Sequence, residues 1–258
     1  KTGIVGILQR GNGPGSIAFC ADMDAIPITE TGTPEWVSLH DGAMHACGHD
    51  GHTAMLLGAA CHLAAKGDFN GRIVFIFQPN EEHGQGARAM IDDGLFQRFA
   101  ADAVFAMHNI PGMKAGSFAT RAGPMTASES LFELSVTARG GHAALPHMGV
   151  DAILVGAQLV TALQSIVSRK LDPARNGVVS ITEFITDGSR NVLPSSALLK
   201  GDARALSDDT NHAIEAHMRR IAAGIAAAHD VDIKVTYDMI FPSLTNCLLY
   251  TSPSPRDE

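Results

Sequence analysis

Ile73-Val74-Phe75-Ile76-Phe77 is an unbroken apolar run, and Gln78-Pro79-Asn80-Glu81-Glu82-His83 follows it directly. A run this short and continuous marks a strand buried on both faces. Two runs of the same kind lie at residues 17–21 (I-A-F-C-A) and 103–107 (A-V-F-A-M). Between the first two, residues 52–66 read as a helix closed by Gly67; between the second and third, residues 85–93 read as another closed by Gly94. This order predicts an α/β domain over residues 1–124, a mostly parallel sheet with helices on both faces.

Beyond residue 125 the pattern changes. Phe132, Leu134 and Val136 alternate with Glu133, Ser135 and Thr137, which predicts a half-buried strand. Ile153, Ala157, Val160, Leu163 and Val167 fall on one helical face, and Ile214, Met218, Ile221, Ile225 and Ala228 on another. Strand-like stretches at 177–185 and 197–206 separate these helices, and Val231, Ile233, Val235 and Tyr237 alternate in a last strand. The order β-α-β-β-α-β predicts a ferredoxin-like α+β domain over residues 125–238.

Composition limits the function. Of 258 residues, 27 are acidic and 19 basic, a net charge of -8 that argues against a nucleic-acid partner. No apolar run reads as a membrane span and the N-terminus has no signal-peptide order, so no membrane partner is expected. Four irregularly spaced cysteines in a chain of this length point to a reducing, cytoplasmic setting. Twelve histidines make a metal or proton-transfer site worth seeking.

Each buried strand of the first domain runs into potential ligands. The first ends in Asp22-Met23-Asp24, the second in the Glu81-Glu82 segment, the third in His108-Asn109, and His45-Ala46-Cys47-Gly48-His49-Asp50-Gly51-His52 precedes the first helix. Sites in open α/β sheets form beyond the carboxyl ends of strands, so these groups converge. Taken singly, Cys47-x-His49 is a small buried thiol beside a turn histidine, the glutamate pair a solvated loop, and His108 an interior histidine. Their joint occurrence at successive element ends favours a metal centre instead. Thiolate, imidazole and carboxylate suit zinc, or manganese or cobalt where oxygen and nitrogen dominate. Adjacent glutamates can divide the work between metal ligand and proton acceptor.

The strings A-D-M-D-A-I-P-I, M-H-A-C-G-H-D-G-H-T-A-M-L-L-G-A-A, F-Q-P-N-E-E, A-M-H-N-I-P-G, G-G-H-A-A-L-P-H and N-V-L-P, in order from about Gly3 to Asn246, resemble the dimetal amidohydrolases. That family includes hippurate hydrolase, N-acyl-amino-acid amidohydrolase and indole-acetyl-amino-acid hydrolase. The resemblance implies two divalent ions held by Cys47, His49, Glu82 and His108, with Glu81 as general base and Asp24 supporting the centre. It implies that His142 steadies the oxyanion, often in a partner subunit's site, and that Asn191 and Arg204 bind the substrate carboxylate. Asn191 as a turn cap before Pro194 and Arg204 as a solvated strand residue are the plainer alternatives. The substrate implied is a small N-acyl amino acid, and the second domain becomes an inserted lid and homodimerisation module. A catalytically incomplete metal-binding, dimerising fragment and a dipeptide exopeptidase are the competing readings.

Cys20, Asn80 and His83 depart from the family pattern without removing a ligand. The resemblance begins inside a strand pattern and stops after Asn246. Residues 239–246 are therefore expected to start a return to the first domain, with 247–258 a non-native tail on an incomplete or misassembled product. On that expectation the first domain is poorly covered, while residues 125–238 fold on their own.

Overall fold

The computed structural model describes residues 2–247, so the expected tail at 248–258 lies outside the described residues. The chain forms two compact units that divide between Ser117 and Phe118.

The first unit contains β1 (Ile4–Arg10), β2 (Ser16–Asp22), α1 (His49–Lys66), β3 (Gly71–Gln78), α2 (Gly86–Asp92), α3 (Leu95–Arg98) and β4 (Ala103–Ala106). Its sheet runs β1-β3-β2-β4, with β2 parallel to both β3 and β4 and β1 antiparallel at the edge. The run at 73–77 is continuous because alternate residues serve opposite cores. Ile73 and Phe75 pack with Ala21 and with Leu56 of α1. Val74 and Ile76 pack with Ala18 and with Leu95 of α3. Helices thus cover both faces, as the alternating pattern requires. One boundary differs from expectation. α1 starts at His49, not His52, because Gly48 adopts φ 86 and lets the chain turn into the helix early. A Cβ at Gly48 would run into the Asn109 amide, so glycine is required there on two counts.

The second unit contains β5 (Gly123–Thr126), β6 (Ser128–Thr137), β7 (Gly141–His142), α4 (Ala152–Ser165, continued by a π turn Ile166–Lys170), β8 (Gly177–Thr186), β9 (Val192–Leu193), β10 (Ser196–Ala205), α5 (Asp208–His229), β11 (Asp232–Phe241) and β12 (Leu244–Asn246). β6-α4-β8-β10-α5-β11 build an antiparallel sheet in the order β11-β6-β10-β8, the ferredoxin-like arrangement. One core joins Phe132, Leu134 and Val136 to Leu159 and Leu163 of α4 and to Ile214 and Met218 of α5. β5 and β12 pair antiparallel, which brings residues 123–126 beside 244–246.

The face expected for α4 is corrected. Ile153 is 45% exposed and Val167 37%, while Ala152, Val155, Leu159, Leu163 and Ile166 are buried. α4 is apolar nearly all round, so more than one stripe satisfies the helical period, and the sheet selects the stripe one residue earlier. By length and composition alone Ala152–Lys170 is apolar enough to cross a membrane, as the core helix of a globular unit also can be. Its inner stripe is part of the unit's core, which accounts for that apolarity.

Candidate metal centre

Because β2, β3 and β4 run parallel, the residues after their carboxyl ends emerge on one side of the sheet. β2 delivers Asp22 and Asp24, the turn after β3 delivers Glu81 and Glu82, and the segment after β4 delivers His108 and Asn109. Asn80 takes φ 52 to make the tight turn into the glutamates, a conformation asparagine tolerates better than most residues. The loop before α1 contributes Cys47, and the first turn of α1 contributes His49 and His52.

His49 is at the middle and 1% exposed. Its Nε2 lies 3.5 Å from Asp22 Oδ2, 3.6 Å from Glu82 Oε1 and 3.8 Å from Glu81 Oε2, and its Nδ1 lies 3.4 Å from Asp24 Oδ1. Neither ring nitrogen has a hydrogen-bond partner, and Asp24 Oδ1 and Glu82 Oε1 are likewise buried without one. Buried polar atoms are rarely left in this state, and four carboxyl groups around one imidazole demand a compensating cation. Beside them, Cys47 Sγ is 3.5 Å from His108 Nε2. His108 Nδ1 donates to the Asn109 carbonyl at 2.7 Å, so Nε2 presents a lone pair.

The electrostatics follow from this crowding. Burial, then the negative charges of Glu82 and Asp22, hold the Glu81 carboxyl above its ordinary range. Burial and the charges of Glu82, Glu81 and Asp22 push the Cys47 thiol up to about 11. For Asp24, burial acts upward, but backbone N–H groups of Glu81 and Glu82 outweigh it and keep the carboxyl low. The Glu82 N–H reaches Asp24 Oδ2 at 3.1 Å.

Sulfur, imidazole and carboxylate donors therefore meet as three overlapping groups, Cys47-His49-His108, Asp22-His49-His52 and His49-Glu81-Glu82. This donor set fits divalent ions of the zinc, manganese or cobalt kind. Cys47, His49, Glu81, Glu82, His108 and Asp24 are brought together. Asp22 and His52 join them; both stand in segments that the sequence marks as potential ligands, the D-M-D string and the His45–His52 cluster, without a specific role for either.

In the second unit, β7 and β9 form a short ribbon that pairs His142 with Val192, next to Asn191. The Asn191 carbonyl accepts the Ala143 N–H at 3.0 Å. His142 Nδ1 accepts the Ala144 N–H at 3.1 Å, which places the neutral ring's proton on Nε2. Arg204, on β10, is already paired with Glu129 at 2.9 Å and Asp202 at 3.1 Å.

The sequence profile of peptidase family M20/M25/M40 matches residues 18–248. The chain belongs to this family. Among M20 relatives, it is 43% identical to the hippurate hydrolase of Campylobacter jejuni, over 95% of this chain and 64% of that protein. It is 39% identical to the N-acyl-L-amino acid amidohydrolase of Geobacillus stearothermophilus, over 95% of this chain and 66% of that one. Among solved structures, the Bacillus subtilis YxeP protein, a dinuclear metal-binding peptidase of the M20 family, superposes with a TM-score of 0.81 at 34% identity, covering 97% of this chain and 64% of its own. The M20 chain described here thus spans just under two thirds of the length of these relatives.

Proposed function

We propose that the chain is the metal-binding portion of an amidohydrolase that cleaves the amide of N-acyl amino acids, hippurate-like compounds included, to a carboxylic acid and a free amino acid. The observation that carries this reading is His49, buried with both ring nitrogens unpaired among four carboxyl groups. The names of the relatives supply the substrate class.

In this reading Cys47, His49, Glu82 and His108 hold two divalent ions of zinc, manganese or cobalt, and Asp24, 3.4 Å from His49 Nδ1, supports the centre. Such ions polarise an amide carbonyl and acidify water at neutral pH. Glu81, next to the ligands and held above the ordinary carboxyl range, accepts the proton of the attacking water and returns it to the leaving nitrogen. His142, with its proton on Nε2, donates to the oxygen on which charge develops. Asn191 lies next to it in sequence and ribbon, a placement suited to a substrate carboxylate. Arg204 already holds Glu129 through Nη2 and Asp202 through Nε, so a substrate carboxylate would share its guanidinium with them. A homodimer through the second unit and a cytoplasmic setting complete the proposal; the edge strands β8 and β11 of that unit's sheet and the four free cysteines support them.

The test is hydrolysis of hippurate and N-acetyl amino acids after loading with manganese, cobalt or zinc, beside dipeptides with free amino termini. Release of benzoate from hippurate supports the proposal. Turnover confined to dipeptides would support an exopeptidase, and metal uptake without turnover a binding fragment.

A further inference from the structure

Two histidines on one face of α1, His49 and His52, are 1% and 2% exposed, yet their surroundings are opposite. Both ring nitrogens of His49 are unpaired. Both nitrogens of His52 are used. Its Nδ1 donates to Asp22 Oδ1 at 2.6 Å, and its Nε2 faces Asn109, 3.0 Å from both the backbone nitrogen, whose N–H it accepts, and the side-chain Oδ1. The Asn109 carbonyl in turn accepts from His108 Nδ1, and His108 Nε2 faces Cys47 Sγ. The His52 ring also stands edge-on to that of His108, with centroids 4.4 Å apart. A continuous hydrogen-bonded line thus runs from Asp22 through His52, Asn109 and His108 to Cys47.

We infer that His52 is a positioning residue: it ties the end of β2 to the segment after β4, leaving Asp22 Oδ2 turned to His49 and the His108 ring turned to Cys47. This rests on the metal-centre reading above and deepens it. A histidine whose two nitrogens already serve the protein must break a hydrogen bond to bind an ion, whereas His49 breaks none. Without His52, Asp22 Oδ1 loses its donor and the Asn109 N–H its acceptor, and both proposed ligands on the line lose their orientation.

Cobalt titration of the 258-residue chain tests this, following the thiolate-to-cobalt absorption of Cys47, with Cys47→Ser identifying the band. His52→Leu should bind as many ions per chain as the wild type, about 10- to 100-fold more weakly and with an altered band. His52→Gln, which can still accept the Asn109 N–H, should recover part of that affinity. Loss of one ion per chain would make His52 a ligand and overturn the inference, as would wild-type affinity and band in the leucine variant. Should the leucine variant prove unfolded by circular dichroism, the glutamine variant decides alone: intermediate affinity at full stoichiometry upholds the role, while wild-type affinity or a lost ion removes it. A wild-type chain that takes up no cobalt would instead bring down the metal centre itself, and this inference with it.

Discussion

Glu81 and Glu82 are neighbours in sequence but not in surroundings. Glu82 has a buried, unpaired oxygen 3.6 Å from His49 Nε2, whereas the Glu81 side chain is 37% exposed. In protein that turns over hippurate, Glu81→Gln should keep its metal and lose about 10²- to 10⁴-fold in kcat, the usual worth of a general base. Glu82→Gln should lose metal affinity as well; metal analysis beside the assay separates the two, and equal metal loss would refute the division. A second residue-scale prediction concerns the loop that bears Asn191. Ser195 Oγ donates to Asp187 at 2.6 Å and the Ser196 N–H at 2.9 Å, holding that carboxyl down to about 2. A depressed carboxyl stabilises the fold above its ordinary pKa of about 4 and loses that contribution as pH falls towards 2. Ser195→Ala should move the Asp187 midpoint back up, as read by carboxyl NMR titration. A midpoint that stays put would show that the serine does not set it.

At the scale of elements, α4 shows where periodicity stops being informative. Its sequence offers several apolar stripes, and only the sheet beneath selects Val155, Leu159 and Leu163. Leu159→Ala should therefore cost about 2–5 kcal/mol, and Ile153→Ala, on the outer face, within about 0.5. Urea unfolding of the two variants checks this, and equal losses would mean the helix is rotated from the described face. Helix α5 was more legible, since Ile214 and Met218 stand out against polar neighbours and are indeed buried. Asn211 was not. It is fully buried, donating to Ser128 Oγ at 2.8 Å and accepting from Ser130 and Tyr237 at 2.9 and 2.8 Å, so a polar residue occupies a core position once its partners come from two distant strands, β6 and β11.

At the scale of the molecule, the two units differ in how well they are buried. The first divides its core into two small clusters, and Met55 and Leu57 on α1 and Val104 on β4 stay exposed. The second has one large continuous core. Limited proteolysis with mass spectrometry should leave a resistant fragment running from near Phe118 to near Asn246, while the first unit is cut early. Equal protection of residues 2–117 would show that the exposed apolar surface costs little. If His142 serves a partner's site, mixing His142→Ala subunits with Glu81→Gln subunits should restore some turnover; no recovery despite shared dimers would argue against it.

The sequence alone determined the α/β and ferredoxin-like order, because continuous and alternating apolar runs report burial on two faces or one. It also singled out Cys47, His49, Glu81, Glu82 and His108, because parallel strands deliver the residues after their ends to one side. What only the tertiary structure decided is how these groups are shared. His49 and His52 are one turn apart on the same helix face and chemically identical, yet one is left unpaired among carboxylates and the other is saturated by Asp22 and Asn109. Arg204, chemically suited to a carboxylate substrate, already has Glu129 and Asp202. Local spacing specifies which face a side chain occupies, but its partners come from distant strands and are set only when the sheet assembles.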